Sequence, residues 1–503
     1  MIRRLVIANR GEIAVRICRA CRELGIESVA VFSDADAGAA HVAAADRAVR
    51  IGPPPPRESY LHIQAIIDAA LATGADAVHP GYGFLSENAA FAHACRDAGI
   101  IFVGPPPEAI ARMGSKIEAR ALAAAADVPV VPGQTPADQS DDGLLDALRS
   151  VGLPALIKAS AGGGGRGMRQ VHDLAQARDA IQSARRESEA AFRDGTLYVE
   201  RLIERPHHVE IQIIADTHGQ VVHLFERECS VQRRHQKVLE ESPSPHLTPG
   251  LRRRMADAAV RAARAAGYVN AGTFEFLVDL GGGGGDATPF YFLEMNTRLQ
   301  VEHPVTEQVA GVDLVRAQLL VASGHPLPWR QEQLAQRGHA IEARIYAEDP
   351  SQGFIPQAGR LLLYREPQMP GIRVDAGVRE GDEVPVHYDP LLAKVIATAE
   401  TRDLAIARLT AALRAFPILG IRTNITFAIA ILESDAFRTG AVHTGYLDRE
   451  GAELAQRAPE PPPAFLQAAM DAADRSVDLD RPHDGPSRDW DPWNRRLAGW
   501  SPQ

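Results

Sequence analysis

Two apolar runs on either side of a glycine-rich stretch commit this chain to at least one antiparallel hairpin. Gly272-Thr273-Phe274-Glu275-Phe276-Leu277-Val278-Asp279-Leu280 and Pro289-Phe290-Tyr291-Phe292-Leu293-Glu294-Met295-Asn296 flank residues 281–288; β-prone runs closed by such a turn pair with each other. Folding about the midpoint of residues 281–288 sets Glu275 directly opposite Glu294. Opposed carboxylates weaken a ladder unless a cation lies between them. Asn296, two residues beyond Glu294, projects from the same side. Glu275, Glu294 and Asn296 are thus three hard oxygen donors on one face, a set suited to Mg²⁺ or Mn²⁺ carrying phosphates. Apolar neighbours on both sides argue against two freely solvated glutamates.

The alternation continues past the hairpin, where every even position from 294 to 302 is polar: Glu294, Asn296, Arg298, Gln300 and Glu302. If the chain stays extended, these side chains share one side, with a permanent cation and a base about 7 to 14 Å beyond the metal ligands. Such a row suits activation of an anionic co-substrate beside a nucleotide γ-phosphate.

Elsewhere the pattern is that of a doubly wound α/β chain. Leu5-Val6-Ile7-Ala8 reads as a buried strand, a helix pattern follows to Leu24-Gly25, and Val29-Ala30-Val31-Phe32 is the next strand. Similar strands recur at Ala77-Val78-His79 and Ile100-Ile101-Phe102-Val103, each ending in a loop. The loop Pro80-Gly81-Tyr82-Gly83-Phe84 lacks G-x-G-x-x-G, so a nicotinamide site is unsupported. A second unit begins near Gly114-Ser115-Lys116, and in it a strand ending at Lys158 runs into Gly162-Gly163-Gly164-Gly165-Arg166-Gly167. Successive glycines let backbone N–H groups close on phosphate and let the loop act as a mobile lid. No Gly-Lys-Ser/Thr closes the loop, so it is not a Walker A motif. Polar His208, Glu210 and Gln212 alternate with apolar Val209, Ile211 and Ile213, which predicts a half-exposed strand whose polar face lines a cleft. Thr248-Pro249 to Gly267 reads as a capped helix. A third unit, of mixed strands and helices, runs from about Gly338 to Tyr446, and a Pro-rich tail follows.

The 503 residues carry a net charge of −10, which makes nucleic acid or an anionic membrane an unsuitable main partner. Four cysteines form no scaffold; Cys18 and Cys21 are expected to pack in a core, in a reducing compartment such as the cytoplasm. No apolar run reaches membrane-spanning length.

At these residues the sequence resembles the biotin carboxylase family, the ATP-grasp component of biotin-dependent carboxylases. The matching stretches are Ile7-Ala8-Asn9-Arg10-Gly11-Glu12-Ile13-Ala14, His79-Pro80-Gly81-Tyr82-Gly83-Phe84-Leu85-Ser86-Glu87-Asn88, the glycine loop, Gln232-Arg233-Arg234-His235-Gln236-Lys237 and residues 294–304. The resemblance covers residues 1 to about 446. It implies an ATP-grasp fold with an N-terminal doubly wound domain (1–114), an ATP-grasp domain (115–330) with a lid at about 131–205, a mixed α+β C-terminal domain (331–446), and a linker and tail (447–503). It further implies ATP-dependent carboxylation of biotin by bicarbonate through carboxyphosphate, the first half-reaction of an acyl-CoA carboxylase.

Carried over by position, Lys116, Lys158 and Gly163, Gly164, Gly165 and Gly167 resemble nucleotide-phosphate ligands. The segment from Glu200 to Ile203 resembles the adenine hinge, with His208, Gln232 and His235 near the ribose. Glu275, Glu294 and Asn296 match the Mg²⁺ (or Mn²⁺) site. Lys237, Arg298, Gln300 and Val301 resemble the bicarbonate pocket, Glu302 its general base, and Arg344 the arginine that stabilises the biotin enolate. No Met-Lys-Met occurs in the chain, so biotin is expected on a separate carrier protein or domain. A carboxyltransferase subunit and further copies of the same chain are the other expected partners. Trp490, Trp493 and Trp500 leave three readings of the tail: a docking peptide, the start of a following region, or a disordered end without function. Two other readings stand beside this one: an ATP-grasp ligase joining an acyl phosphate to an amine, which has no need of Arg344, and a silent binding subunit, which would have lost Glu302 or a metal ligand.

Lysine usage adds one more pointer. Only Lys116, Lys158, Lys237 and Lys394 occur, against fifty arginines. Three of them fall in the motifs above, where a compact ammonium fits among phosphate oxygens better than a planar guanidinium. Lys394, in Pro390-Leu391-Leu392-Ala393-Lys394, has no motif to belong to.

Overall fold

The structure, a computed structural model, describes residues 1–160, 167–282, 284–456 and 465–470. Gly163, Gly164, Gly165 and the tail tryptophans Trp490, Trp493 and Trp500 lie outside the described residues.

Strand β1 (Arg4–Ile7), helix α1 (Gly11–Leu24) and strands β2 (Glu27–Ser33), β3 (Arg47–Gly52), β4 (Ala77–His79) and β5 (Ile101–Phe102) form the first unit. All the pairings are parallel, in the order β3-β2-β1-β4-β5, as the β-α-β pattern predicts. Gly25 ends α1 at φ 68°, a conformation glycine adopts without strain. Cys18 and Cys21 are buried, and desolvation pushes the Cys18 thiol up to about 11, so both serve as core packing.

After helix α2 (Lys116–Ala125) come β6 (Gly133–Gln134), β7 (Ala155–Ala159), β8 (Arg169–Val171) and β9 (Leu197–Arg201). These make a small antiparallel sheet in the order β6-β9-β7-β8, with an apolar core of its own that includes Leu144, Leu148, Ile157, Ile181 and Val199.

The largest element is one eight-stranded sheet. It contains β10 (His207–Ala215), β11 (Val221–Arg233) and β12 (Gln236–Ser242), then, after helix α3 (Pro249–Ala265), β13 (Asn270–Val278) and β14 (Phe290–Asn296). Helix α4 (His303–Ala310) follows, then β15 (His339–Tyr346), β16 (Ile372–Ala376), β17 (Leu391–Ala399) and helix α5 (Arg402–Arg414). The order is β14-β13-β10-β11-β12-β15-β17-β16. Because β12 pairs with β15, the sheet runs unbroken past residue 330. Helix α3 starts as its sequence requires, with Thr248 Oγ1 accepting from the Leu251 N–H at 3.1 Å.

Two expectations are corrected. Strand β10 is buried along its whole length rather than half-exposed. It lies between β13 and β11, with Val209, Ile211 and Ile213 against α3, while Gln212 accepts from Arg227, itself bonded to Thr306 on α4. The row from 294 to 302 does not stay extended either. Strand β14 ends at Asn296, Thr297 N–H is drawn to Glu87 at 3.0 Å, and α4 starts at His303 with Pro304 in its first turn.

Candidate active site

The hairpin places Glu275 opposite Glu294, as the loop midpoint predicts. Next to the turn the register is shifted by one, with Phe276 facing Phe292; a bulge at Leu293 restores it, so Glu275 and Glu294 meet through two offsets that cancel. Burial raises the Glu294 carboxyl, and the facing Glu275 raises it further. No donor among the described residues bonds to Glu294, whereas Glu275 accepts from Lys237 at 3.1 Å, Asn296 Nδ2 at 2.8 Å and Gln300 Nε2 at 3.2 Å. His208 Nε2 lies 3.0 Å from its other oxygen. Two carboxylates, one without a partner, beside an amide oxygen are a donor set that fits Mg²⁺.

The turn at residues 301–302 folds Glu302 back toward that face instead of carrying it outward. Glu302 is fully buried, with Lys237 Nζ donating to one oxygen at 2.5 Å and Arg344 to the other at 2.9 Å. Burial favours the neutral acid, but Lys237, Arg344 and Arg227 outweigh it and hold Glu302 well below the usual carboxylate range. Lys237 also donates to Glu210 at 2.6 Å, so one ammonium joins three carboxylates from two strands and a turn. Arg298 donates to Glu87 at 2.9 Å, Gln300 at 2.9 Å and Asn296 at 3.1 Å.

One cleft of about 800 Å³ collects Lys116, Lys158, Glu200, Ile203, His208, Gln232, His235, Lys237, Glu275, Glu294, Asn296, Arg298, Gln300, Val301 and Arg344. Glu302 sits directly behind its wall. Lys158, nearly buried, donates to Glu200 at 2.6 Å, and Arg120 holds the other Glu200 oxygen. Desolvation lowers the Lys116 ammonium. His235 reaches the cleft from a two-residue β11–β12 turn in which Arg234 (φ 48°) and His235 (φ 65°) are both left-handed. Gly167 is not among the residues that line this cleft; at φ 71° a Cβ there would lie 2.9 Å from the Ala159 Cβ, so close packing and backbone conformation require glycine.

Sequence reasoning missed four partners. Glu210 stands on the polar alternation of β10 and Glu87 within the stretch from His79 to Asn88, and neither pattern assigns them a role. Arg227, fully buried with Glu210, Gln212, Thr273 and Thr306 around its donors, and Glu240, which accepts from Arg344, gave no periodic signal.

Three family models cover most of the chain: biotin carboxylase N-terminal domain (1–110), carbamoyl-phosphate synthase L chain ATP-binding domain (115–330) and biotin carboxylase C-terminal domain (342–449). The biotin carboxylase of Halalkalibacterium halodurans is 49% identical over 447 residues, 89% of this chain and 97% of that protein. The chain belongs to the biotin carboxylase family. The alpha subunit of mitochondrial methylcrotonoyl-CoA carboxylase from Oryza sativa is 51% identical over 89% of the chain, which spans about three fifths (60%) of that longer relative. Among solved biotin carboxylases, the Campylobacter jejuni enzyme in a β,γ-ATP complex superposes with a TM-score of 0.86 at 43% identity, over 89% of this chain and 99% of that one. The biotin carboxylase domain dimer of Hydrogenobacter thermophilus 2-oxoglutarate carboxylase, with MgADP, ADP and bicarbonate, gives 0.85 at 42% identity, over 90% and 99%. The ATP-grasp architecture of the family is therefore the fold of this chain. No helix among the described residues is long and apolar enough to cross a membrane.

Proposed function

We propose that this chain carboxylates biotin on a separate carrier with ATP and bicarbonate, as the first half-reaction of an acyl-CoA carboxylase. The observation that carries the reading is the buried carboxylate Glu302 held between Lys237 and Arg344, beside the opposed pair Glu275 and Glu294. Lys116 and Lys158 bind the nucleotide phosphates, with the adenine against residues 200–203 and the ribose near His208, Gln232 and His235. Glu275, Glu294 and Asn296 would hold Mg²⁺, which offsets phosphate charge when bound. Lys237, Arg298, Gln300 and Val301 take bicarbonate. An anion there competes for Lys237, which loosens the hold on Glu302 and raises its basicity. Glu302 then takes the bicarbonate proton, the freed oxygen attacks the γ-phosphorus, and ADP leaves, giving carboxyphosphate. Carboxyphosphate then breaks its C–O bond to the phosphorus-bound oxygen, giving CO₂ and phosphate. The phosphate takes the biotin N1 proton, and Arg344, released as Glu302 is neutralised, stabilises the resulting enolate, whose N1 attacks CO₂.

The carrier, a carboxyltransferase subunit and a second copy of the chain are the proposed partners; the transferase selects the final acceptor. Four unpaired, buried cysteines favour a reducing compartment, the cytoplasm.

Purified chain with MgATP and bicarbonate is expected to show biotin-stimulated ADP formation that EDTA abolishes. ADP formation indifferent to both bicarbonate and biotin would remove the reading, and stimulation by an amino acid instead would favour a carboxylate-amine ligase.

A further inference from the structure

Lys394 is fully buried, yet it belongs to none of the motifs that explain the other three lysines. Its Nζ donates to the Val301 carbonyl at 2.7 Å and lies 3.1 Å from Glu12 Oε1 on α1, the same oxygen that accepts from the Tyr82 hydroxyl. On the sheet, Lys394 of β17 stands directly opposite Arg344 of β15. Two cations facing each other across a ladder repel, so the arrangement needs a reason. Both reach the same two-residue turn: Arg344 binds the Glu302 carboxylate, and Lys394 binds the carbonyl just before it.

The Val301 carbonyl and the Glu302 N–H belong to one planar peptide unit. A donor that fixes the carbonyl therefore fixes the plane from which Glu302 departs, and with it the face that Val301 turns to the cleft. We propose that Lys394, neutralised by Glu12 from the N-terminal unit, is a positioning residue that sets this peptide for bicarbonate. The inference rests on the assignment of Lys237, Arg298, Gln300 and Val301 to the bicarbonate pocket. It gives the N-terminal unit a part in the chemistry, since Glu12 is its contribution to a turn that the other two units build and clamp.

Steady-state kinetics on the full chain test it, with bicarbonate and MgATP varied separately and the folded fraction measured by nucleotide binding. Lys394→Met is expected to raise KM for bicarbonate about tenfold while KM for MgATP stays within about twofold; Glu12→Gln moves bicarbonate KM in the same direction, about threefold. Arg298→Ala serves as the control on the pocket itself. If Arg298→Ala raises bicarbonate KM and neither Lys394→Met nor Glu12→Gln does, their kcat loss following the folded fraction, Lys394 is only a core residue and the proposal fails with the pocket intact. If Arg298→Ala leaves bicarbonate KM unchanged, the pocket assignment fails and takes the proposal with it. Should Lys394→Met not fold, Glu12→Gln decides: an unchanged bicarbonate KM overturns the role.

Discussion

A lysine that survives among fifty arginines marks a position where shape matters as well as charge. Lys158 sets its ammonium on Glu200 at 2.6 Å, and Lys237 fits a single ammonium among three carboxylates at 2.5 to 3.1 Å, spaces a broad guanidinium would have to widen. Lys116→Arg, Lys158→Arg and Lys237→Arg are each expected to lower kcat/KM by on the order of 10²- to 10³-fold with the fold intact. Two of the three retaining more than about a third of wild-type kcat/KM would mean lysine scarcity carries no information. Glu302→Gln removes the base and should lower the rate about 10²-fold or more with nucleotide affinity little changed. Arg344→Ala should harm biotin carboxylation more than biotin-independent ATP hydrolysis; equal losses would contradict the enolate role. At this scale the sequence was legible wherever a residue type was rare or a motif long. Arg227 and Glu240 were not, because each stands among other charged residues (Glu226 and Glu228, Glu241) and nothing in the pattern says which partner it takes across the sheet.

At the scale of elements, the hairpin holds a repulsion in place for a ligand. Glu294→Gln, which relieves the facing charges, is expected to stabilise the metal-free protein by about 0.2–1 kcal/mol while lowering Mg²⁺-dependent turnover on the order of 10²-fold. Calorimetry with EDTA and steady-state rates measure the two arms, and a variant less stable without metal would count against a metal site. The pairing was readable because period-2 alternation survives a bulge and an off-centre turn when they cancel. The turn Arg234-His235 was hidden, since left-handed two-residue turns announce themselves through Asn-Gly or Asp-Gly and this one has neither. The exposure of β10 was misjudged for a related reason: alternation shows that a strand has two different faces, and Arg227 with α4 covers the polar one.

Over the whole molecule, burial keeps several imidazoles neutral. Desolvation lowers His41 and His79 to about 4, below the ordinary value near 6.5. The unfolded chain binds protons at these groups between about pH 6.5 and 4 while the native state does not, so stability falls as pH drops through that window. The slope is at most about 1.4 kcal/mol per pH unit for each histidine. Glu228, lowered to about 2 by His207 and His246 against its burial, acts lower down: its contribution is present above about pH 4.3 and is lost below it. Urea midpoints at pH 7 and pH 5 should differ, and His79→Gln should flatten the difference; equal midpoints would show that these imidazoles are not buried in neutral form.

The unbroken sheet past residue 330 also says how such chains can be recombined. Lys237, Arg344 and Lys394 stand on β12, β15 and β17, three neighbouring strands of that sheet, so a crossover between relatives at 330 would not exchange a module. It would graft one enzyme's wall onto another's floor, and the hybrid would inherit whichever mismatch its seam contained. The small sheet of β6 to β9, with its separate core, is the part a breeder of chimeras could trade whole.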